Sequence, residues 1–204
     1  LRRTALAAGP VEGRDVIEVG PGPGGLTRAL LDAGARTLTC VEADERFAAA
    51  LNLWPEASDG RLSVIQHDAR RVDWARLKTV AAADQPVMIV ANLPYNVGTP
   101  LLINWLKAGP WRGEMALMFQ TEGALRICAK PGDQHYGRLA VLTAGVCDAA
   151  ISFTLPPGAF RPPPKVDSAV AVFRPLSQDK RVKDIATLEK VATAAFGQRR
   201  KMLR

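Results

Sequence analysis

Four times in the first half of the chain a short apolar run stops on a glycine or a polar residue. Asp15–Val19 runs into Gly20, Thr37–Glu42 ends on Glu42, Leu62–Gln66 runs into His67-Asp68, and 87–91 runs into Asn92. Runs of this length, rich in branched side chains and bounded by turn residues, read as strands buried on both faces. Helical patterns fill the intervals, at 26–33 and 45–54. Strands alternating with helices predict an α/β fold with a parallel sheet between two helical layers. In such an open sheet, ligands bind outside the carboxyl ends of the strands. Those four endings therefore bound the candidate site.

Each ending suggests a different chemistry. Gly20-Pro21-Gly22-Pro23-Gly24-Gly25 lets backbone approach a ligand closely. Pro21 and Pro23 remove two N–H donors, which argues against a phosphate cradle. Taken alone, a glycine loop is a weak signal whose plain alternative is a tight turn. Glu42 follows Gly20 by 22 residues, the spacing at which an acidic side chain commonly holds ribose hydroxyls. Asp68 is placed to accept from an adenine amino group, or else to cap a turn. His67 reads as structural.

Asn92-Leu93-Pro94-Tyr95 supplies an amide, carbonyls held in extended backbone by Pro94, and an aromatic face. This suits a planar heterocycle bearing an exocyclic amine. Together the four endings describe a pocket for an adenosine-containing molecule without a pyrophosphate.

Beyond Asn92 the pattern predicts a helix at 100–108, a strand at 115–119, a helix running to about 129 and another at Arg138–Ala144. Strands at 150–155 and 169–173 read as an antiparallel hairpin around a proline-rich, irregular 156–164. An amphipathic helix at 184–196 opens a second, helical unit. The expected division is 1–176 for the main domain and 177–204 for the start of a helical RNA-binding domain.

Charge separates the same two parts. Residues 1–150 carry 16 Lys/Arg against 16 Asp/Glu, whereas 151–204 carry 11 against 4, so the whole +7 excess lies in the last quarter. That asymmetry points to a polyanionic partner, with Arg199, Arg200, Lys201 and Arg204 as candidate phosphate contacts. Cys40, Cys128 and Cys147 show no metal spacing, and a reducing cytosol fits them best. Cys40 reads as a small buried hydrophobe and the four tryptophans as packing residues. No apolar run reaches the roughly 18 residues of a membrane helix. A cytoplasmic protein without a metal, and a monomer, is the expectation.

The stretches Glu18–Thr27, Val41-Glu42-Ala43-Asp44, His67-Asp68-Ala69 and Asn92-Leu93-Pro94-Tyr95 resemble successive motifs of the ribosomal RNA adenine dimethyltransferases, the KsgA family. The resemblance continues through Phe119-Gln120-x-Glu122, Tyr136-Gly137-Arg138-Leu139, the 160–168 segment Phe-Arg-Pro-Pro-Pro-Lys-Val-Asp-Ser, and Ala195-Phe196-Gly197-Gln198-Arg199-Arg200-Lys201. It implies a Rossmann-like methyltransferase sheet and S-adenosylmethionine as methyl donor. It implies two adjacent adenines near the 3′ end of small-subunit rRNA as substrate. Cofactor contacts are then expected from Glu18, Gly20, Gly22, Glu42, Asp68, Ala69 and Asn92, and base contacts from Asn92, Leu93, Pro94, Tyr95 and Phe160.

The family's cofactor-covering N-terminal segment would precede Leu1, and its helical domain would run on past Arg204. Thr121, Gly123 and Leu125 depart from the family's usual Lys, Val and Glu, which could alter RNA docking. Three other readings compete: a non-catalytic RNA-binding assembly or transcription factor, a large-subunit methylase of the resistance type, and a small-molecule methyltransferase. The intact Asn92 loop argues against the first, and the third leaves the basic tail unexplained.

Overall fold

The computed structural model describes residues 1–93 and 95–197, excluding the side chains of Tyr95 and Asn96. Strands β1 (Asp15–Val19), β2 (Thr37–Glu42), β3 (Leu62–Gln66), β4 (Val87–Asn92) and β5 (Arg112–Gln120) are mutually parallel. Strands β6 (Cys147–Leu155) and β7 (Ser168–Pro175) complete one sheet in the order β3-β2-β1-β4-β5-β7-β6. β7 runs antiparallel to both β5 and β6. The predicted hairpin is therefore present, and its second strand lies inside the sheet.

Alternation along each strand sorts the core into two layers. Ile17, Val19, Val41, Ile89, Leu117 and Phe173 face one layer, together with Leu101, Leu102 and Trp105. Those three belong to helix α6 (Tyr95–Leu106). Helices α7 (Thr121–Cys128) and α8 (Arg138–Ala144) add Ala124, Ile127 and Leu142 to it. Val16, Leu38, Cys40, Met88, Val90 and Val172 face the other layer, against α1 (Arg2–Ala5) and α2 (Gly25–Asp32). Helices α3 (Glu45–Asn52) and α4 (Pro55–Ser58) follow β2, and α5 (Lys78–Ala82) precedes β4. The last described helix, α9 (Ile185–Gly197), packs Ile185 and Leu188 against the first layer.

Several elements differ from the sequence reading. The helix expected at 100–108 starts at Tyr95, so Pro100 lies inside it. Proline inside a helix removes one intrahelical bond, but the apolar Leu101, Leu102, Trp105 and Leu106 are all fully buried there. Packing outweighs the local signal. β5 and β6 each begin three residues earlier than expected, at Arg112 and Cys147. The tryptophans do pack: Trp74 and Trp105 meet edge to face at 5.4 Å, and Arg28 lies over the Trp54 ring.

Candidate active site

The strand order reverses between β1 and β4, which places a crevice at their carboxyl ends. The glycine loop leaves β1 there. Gly20, Gly22 and Gly24 all have left-handed φ, of 69°, 54° and 86°. A Cβ on Gly20 would stand 3.8 Å from the Asn92 carbonyl oxygen. A Cβ on Gly24 would collide with Trp54 and Leu51 at 2.7–2.8 Å. Gly24 is thus needed for packing, while Gly20 and Gly22 keep the crevice wall low.

Glu42 ends β2 and ties two loops together. Its Oε2 accepts from the Gly22 N–H at 3.0 Å and its Oε1 from the Asp44 N–H at 2.8 Å. The side chain is buried at 8 % exposure. Each oxygen holds one backbone donor and keeps capacity for another. That fits a pair of vicinal hydroxyls.

Glu18 takes a different position from the other expected contacts. It is 1 % exposed and points into the α2 layer beneath the loop, where the Cys40 Sγ donates to its Oε2 at 3.4 Å. Burial pushes its carboxyl up to about 7, against the Thr27 hydroxyl and the Cys40 thiol, with the Glu42 charge adding to the rise. Burial also pushes the Cys40 thiol up, helped by Glu18. Glu18 is therefore a core carboxyl between β2 and α2.

Asp68 caps a short turn, Ala69–Arg71, at the end of β3. Its Oδ1 accepts from the Arg70 N–H at 2.9 Å and from Arg70 Nε at 3.0 Å, and its Oδ2 from Nη2 at 2.7 Å. The Arg70 guanidinium holds the carboxyl down to about 2. Ala69 packs against the first core layer. Both sequence readings of Asp68, turn cap and strand-end acceptor, are thus compatible with its place. Arg70 itself escaped the sequence reading. A signal existed, because Asp44-Glu45-Arg46 repeats the same pattern one strand earlier with the same geometry.

Asn92 is exposed at the end of β4, and Leu93 beside it is buried. Phe160 is half-buried against the second layer, on the irregular connection between β6 and β7. Pro94 and the Tyr95 side chain lie outside the described residues, as do Arg199, Arg200, Lys201 and Arg204. Among the described residues no group of three His, Cys, Asp or Glu could hold a metal, and no helix is long and apolar enough to cross a membrane.

The sheet order and the glycine loop meeting an exposed asparagine define a Rossmann-like methyltransferase. Solved structures agree: a dimethyladenosine transferase from Plasmodium falciparum matches with a TM-score of 0.82 at 26 % identity, over 99 % of this chain and 70 % of that one. The 23S rRNA methyltransferase ErmE matches at 0.75 and 26 %, over 94 % and 72 %. The family model for ribosomal RNA adenine dimethylases matches residues 2–204, and the chain belongs to that family. Among its relatives, "Ribosomal RNA small subunit methyltransferase A" of Maricaulis maris is 51 % identical over 99 % of this chain and 69 % of its own length. The protein of the same name from Caulobacter vibrioides is 52 % identical, over 100 % and 76 %.

Proposed function

We propose that this protein transfers methyl groups from S-adenosylmethionine to the exocyclic amines of two adjacent adenines near the 3′ end of small-subunit rRNA, as a step in assembling that subunit. One observation carries the reading. The glycine loop and Asn92 share a single crevice, with Gly20 lacking the Cβ that would approach the Asn92 carbonyl. A methyl donor on the loop and an amine at Asn92 are then neighbours. About 50 % identity to relatives named for the small subunit favours that substrate over the large subunit.

The residues fit the donor. Glu42 offers one open acceptor on each oxygen for the ribose hydroxyls, and Gly20 and Gly22 leave room for the amino-acid part. Asp68 receives the adenine amino group and Ala69 lines that edge. When bound, the sulfonium supplies an electrophilic methyl group with a good leaving group.

An adenine amine is a poor nucleophile because its lone pair is delocalised into the ring. Hydrogen bonds from that amine to the Asn92 side chain and to the Leu93 or Pro94 carbonyl favour a more tetrahedral nitrogen and aim its lone pair. This is positioning plus electrostatics, with no strong base needed before attack. Tyr95 and Phe160 sandwich the base, which must leave its stack to be reached. Residues 177–204 begin the RNA-binding helical unit, where Arg199, Arg200, Lys201 and Arg204 grip phosphates. The protein works as a cytoplasmic monomer.

The test is methyl transfer from labelled cofactor to isolated small and large ribosomal subunits, with mapping of the modified bases. Label on two adjacent small-subunit adenines is expected. Label confined to the large subunit would transfer the assignment to the resistance-type methylases.

A further inference from the structure

The carboxylate assigned to the adenine amine is already occupied in the protein itself. Asp68 takes three short hydrogen bonds from one residue, Arg70, at 2.9, 3.0 and 2.7 Å. A fourth, longer contact from Nε at 3.2 Å leans on Oδ2. A carboxylate has about four acceptor directions, so Arg70 fills nearly all of them. The backbone N–H alone fixes the Asp68 rotamer, as it does at any helix or turn cap. The guanidinium adds nothing the cap needs. It adds competition.

We propose that Arg70 is a displaceable latch on Asp68, and that an adenosine ligand binds by exchanging its amino group for the Arg70 guanidinium. The inference rests on the reading of Asp68 as the adenine acceptor. The latch is easy to release. The Arg70 side chain is 56 % exposed and that of Asp68 31 %, so the ion pair is screened and contributes little. On release the guanidinium swings into water, and the carboxylate keeps its cap bond while taking the ligand. Arg70 is thus a positioning residue that lowers affinity by competing for Asp68.

The chain supplies its own control. Asp44 and Arg46 repeat the clamp at the end of β2, with bonds of 2.9, 3.0 and 2.6 Å. Asp44 caps α3 and has no ligand assigned to it. Removing Arg46 deletes the same charge from the same rim without freeing an acceptor for adenine.

Calorimetry with S-adenosylhomocysteine, which lacks the sulfonium charge, tests the exchange. Arg70→Ala should tighten binding about two- to fivefold, the range of a screened ion pair. Arg70→Lys should lie between it and the wild type. Added salt should tighten binding by the wild type and leave Arg70→Ala flat. Arg46→Ala should bind as the wild type does. Equal or weaker binding by Arg70→Ala overturns the latch, as does an equal gain in Arg46→Ala. Asp68→Ala, made with and without Arg70→Ala, separates the two claims. If it costs affinity in both backgrounds while Arg70→Ala gains nothing, the latch alone fails. If it costs nothing in either, the adenine assignment fails and the latch with it.

Discussion

Asp15 and Glu42 are buried carboxylates at opposite ends of neighbouring parallel strands, and they are treated in opposite ways. Asp15, 4 % exposed at the start of β1, is saturated by side chains. Arg36 reaches its two oxygens at 3.0 and 2.6 Å, and the Thr37 hydroxyl adds a bond of 2.7 Å. Arg36 chiefly holds its carboxyl below the usual range. Glu42 receives two backbone N–H groups and, among the described residues, no side-chain donor. A carboxylate closed by guanidinium is a structural part. One held in place by backbone donors, with acceptors to spare, is available to a ligand. The comparison also explains a cleft of about 430 Å³ at the Asp15 end of the sheet. Both acids that line it, Asp15 and Asp84, are already committed to Arg36.

Mutations at the two ends should separate these roles. The largest effect belongs to the open end. Asn92→Ala should slow methyl transfer a hundredfold or more while circular dichroism stays near wild type. Near-normal turnover would remove Asn92 from the chemistry.

Glu18 comes next, as a third case: buried like the other two but without a full donor set. Its folded pKa of about 7 lies above the ordinary carboxyl value of 4.5. Between those values the unfolded chain releases a proton that the folded protein keeps, so stability declines as pH rises. Glu18→Gln should abolish that decline, a relative gain of about 3 kcal/mol between pH 4.5 and 8. Urea melts at both pH values measure it, and parallel curves for the two proteins would contradict it.

Glu42→Ala should cost about 1–3 kcal/mol of cofactor affinity, read by calorimetry, with a smaller change in melting temperature. The smallest effect is Asp15→Asn, which should leave cofactor affinity alone and cost about 1 kcal/mol of stability at neutral pH. Its folded pKa is depressed, so the stability it contributes is present above the unfolded value and disappears as pH falls. A loss of cofactor affinity in Asp15→Asn would collapse the distinction between the two ends.

Of the strands that hold the site, β1, β2 and β4 were legible because both faces are buried. β3, an edge strand with Ser63 and Gln66 exposed, departs from that expectation and was legible from its branched residues between turn residues. β1, β2 and β3 match the apolar runs residue for residue, and the glycine or polar residue closing each run lies at the carboxyl end of its strand. What stayed hidden depended on partners distant in sequence. Arg112 opens β5 at 1 % exposure with two of its nitrogens unpartnered among the described residues, and nothing local marks a buried arginine. α6 starts five residues before Pro100, and a Cβ on its Gly98 would crowd Phe119 and Leu93, neighbours that the sequence around Gly98 does not announce. α5, only five residues long, is too short for a periodic signal. Glu18 was expected as a ligand contact from the family resemblance alone, and its place in the core, against Cys40, depends on partners that nothing local marks.

The insertion of β7 between β5 and β6 has a consequence for biosynthesis. Ser168–Pro175 is the last of the described strands to leave the ribosome, yet it occupies an interior place in the sheet. β1 to β4 can pair as they emerge, so the crevice takes shape early. β5 must then wait, with its outer row of N–H and C=O groups bare, until two helices and β6 have been made. β6 cannot seal that row itself, since its only strand neighbour is β7. A nascent chain paused anywhere between Gln120 and Ser168 therefore offers an unpaired edge to other nascent chains, the state most open to aggregation. The final strand is the clasp that ends this exposure, and it closes both flanks in one step.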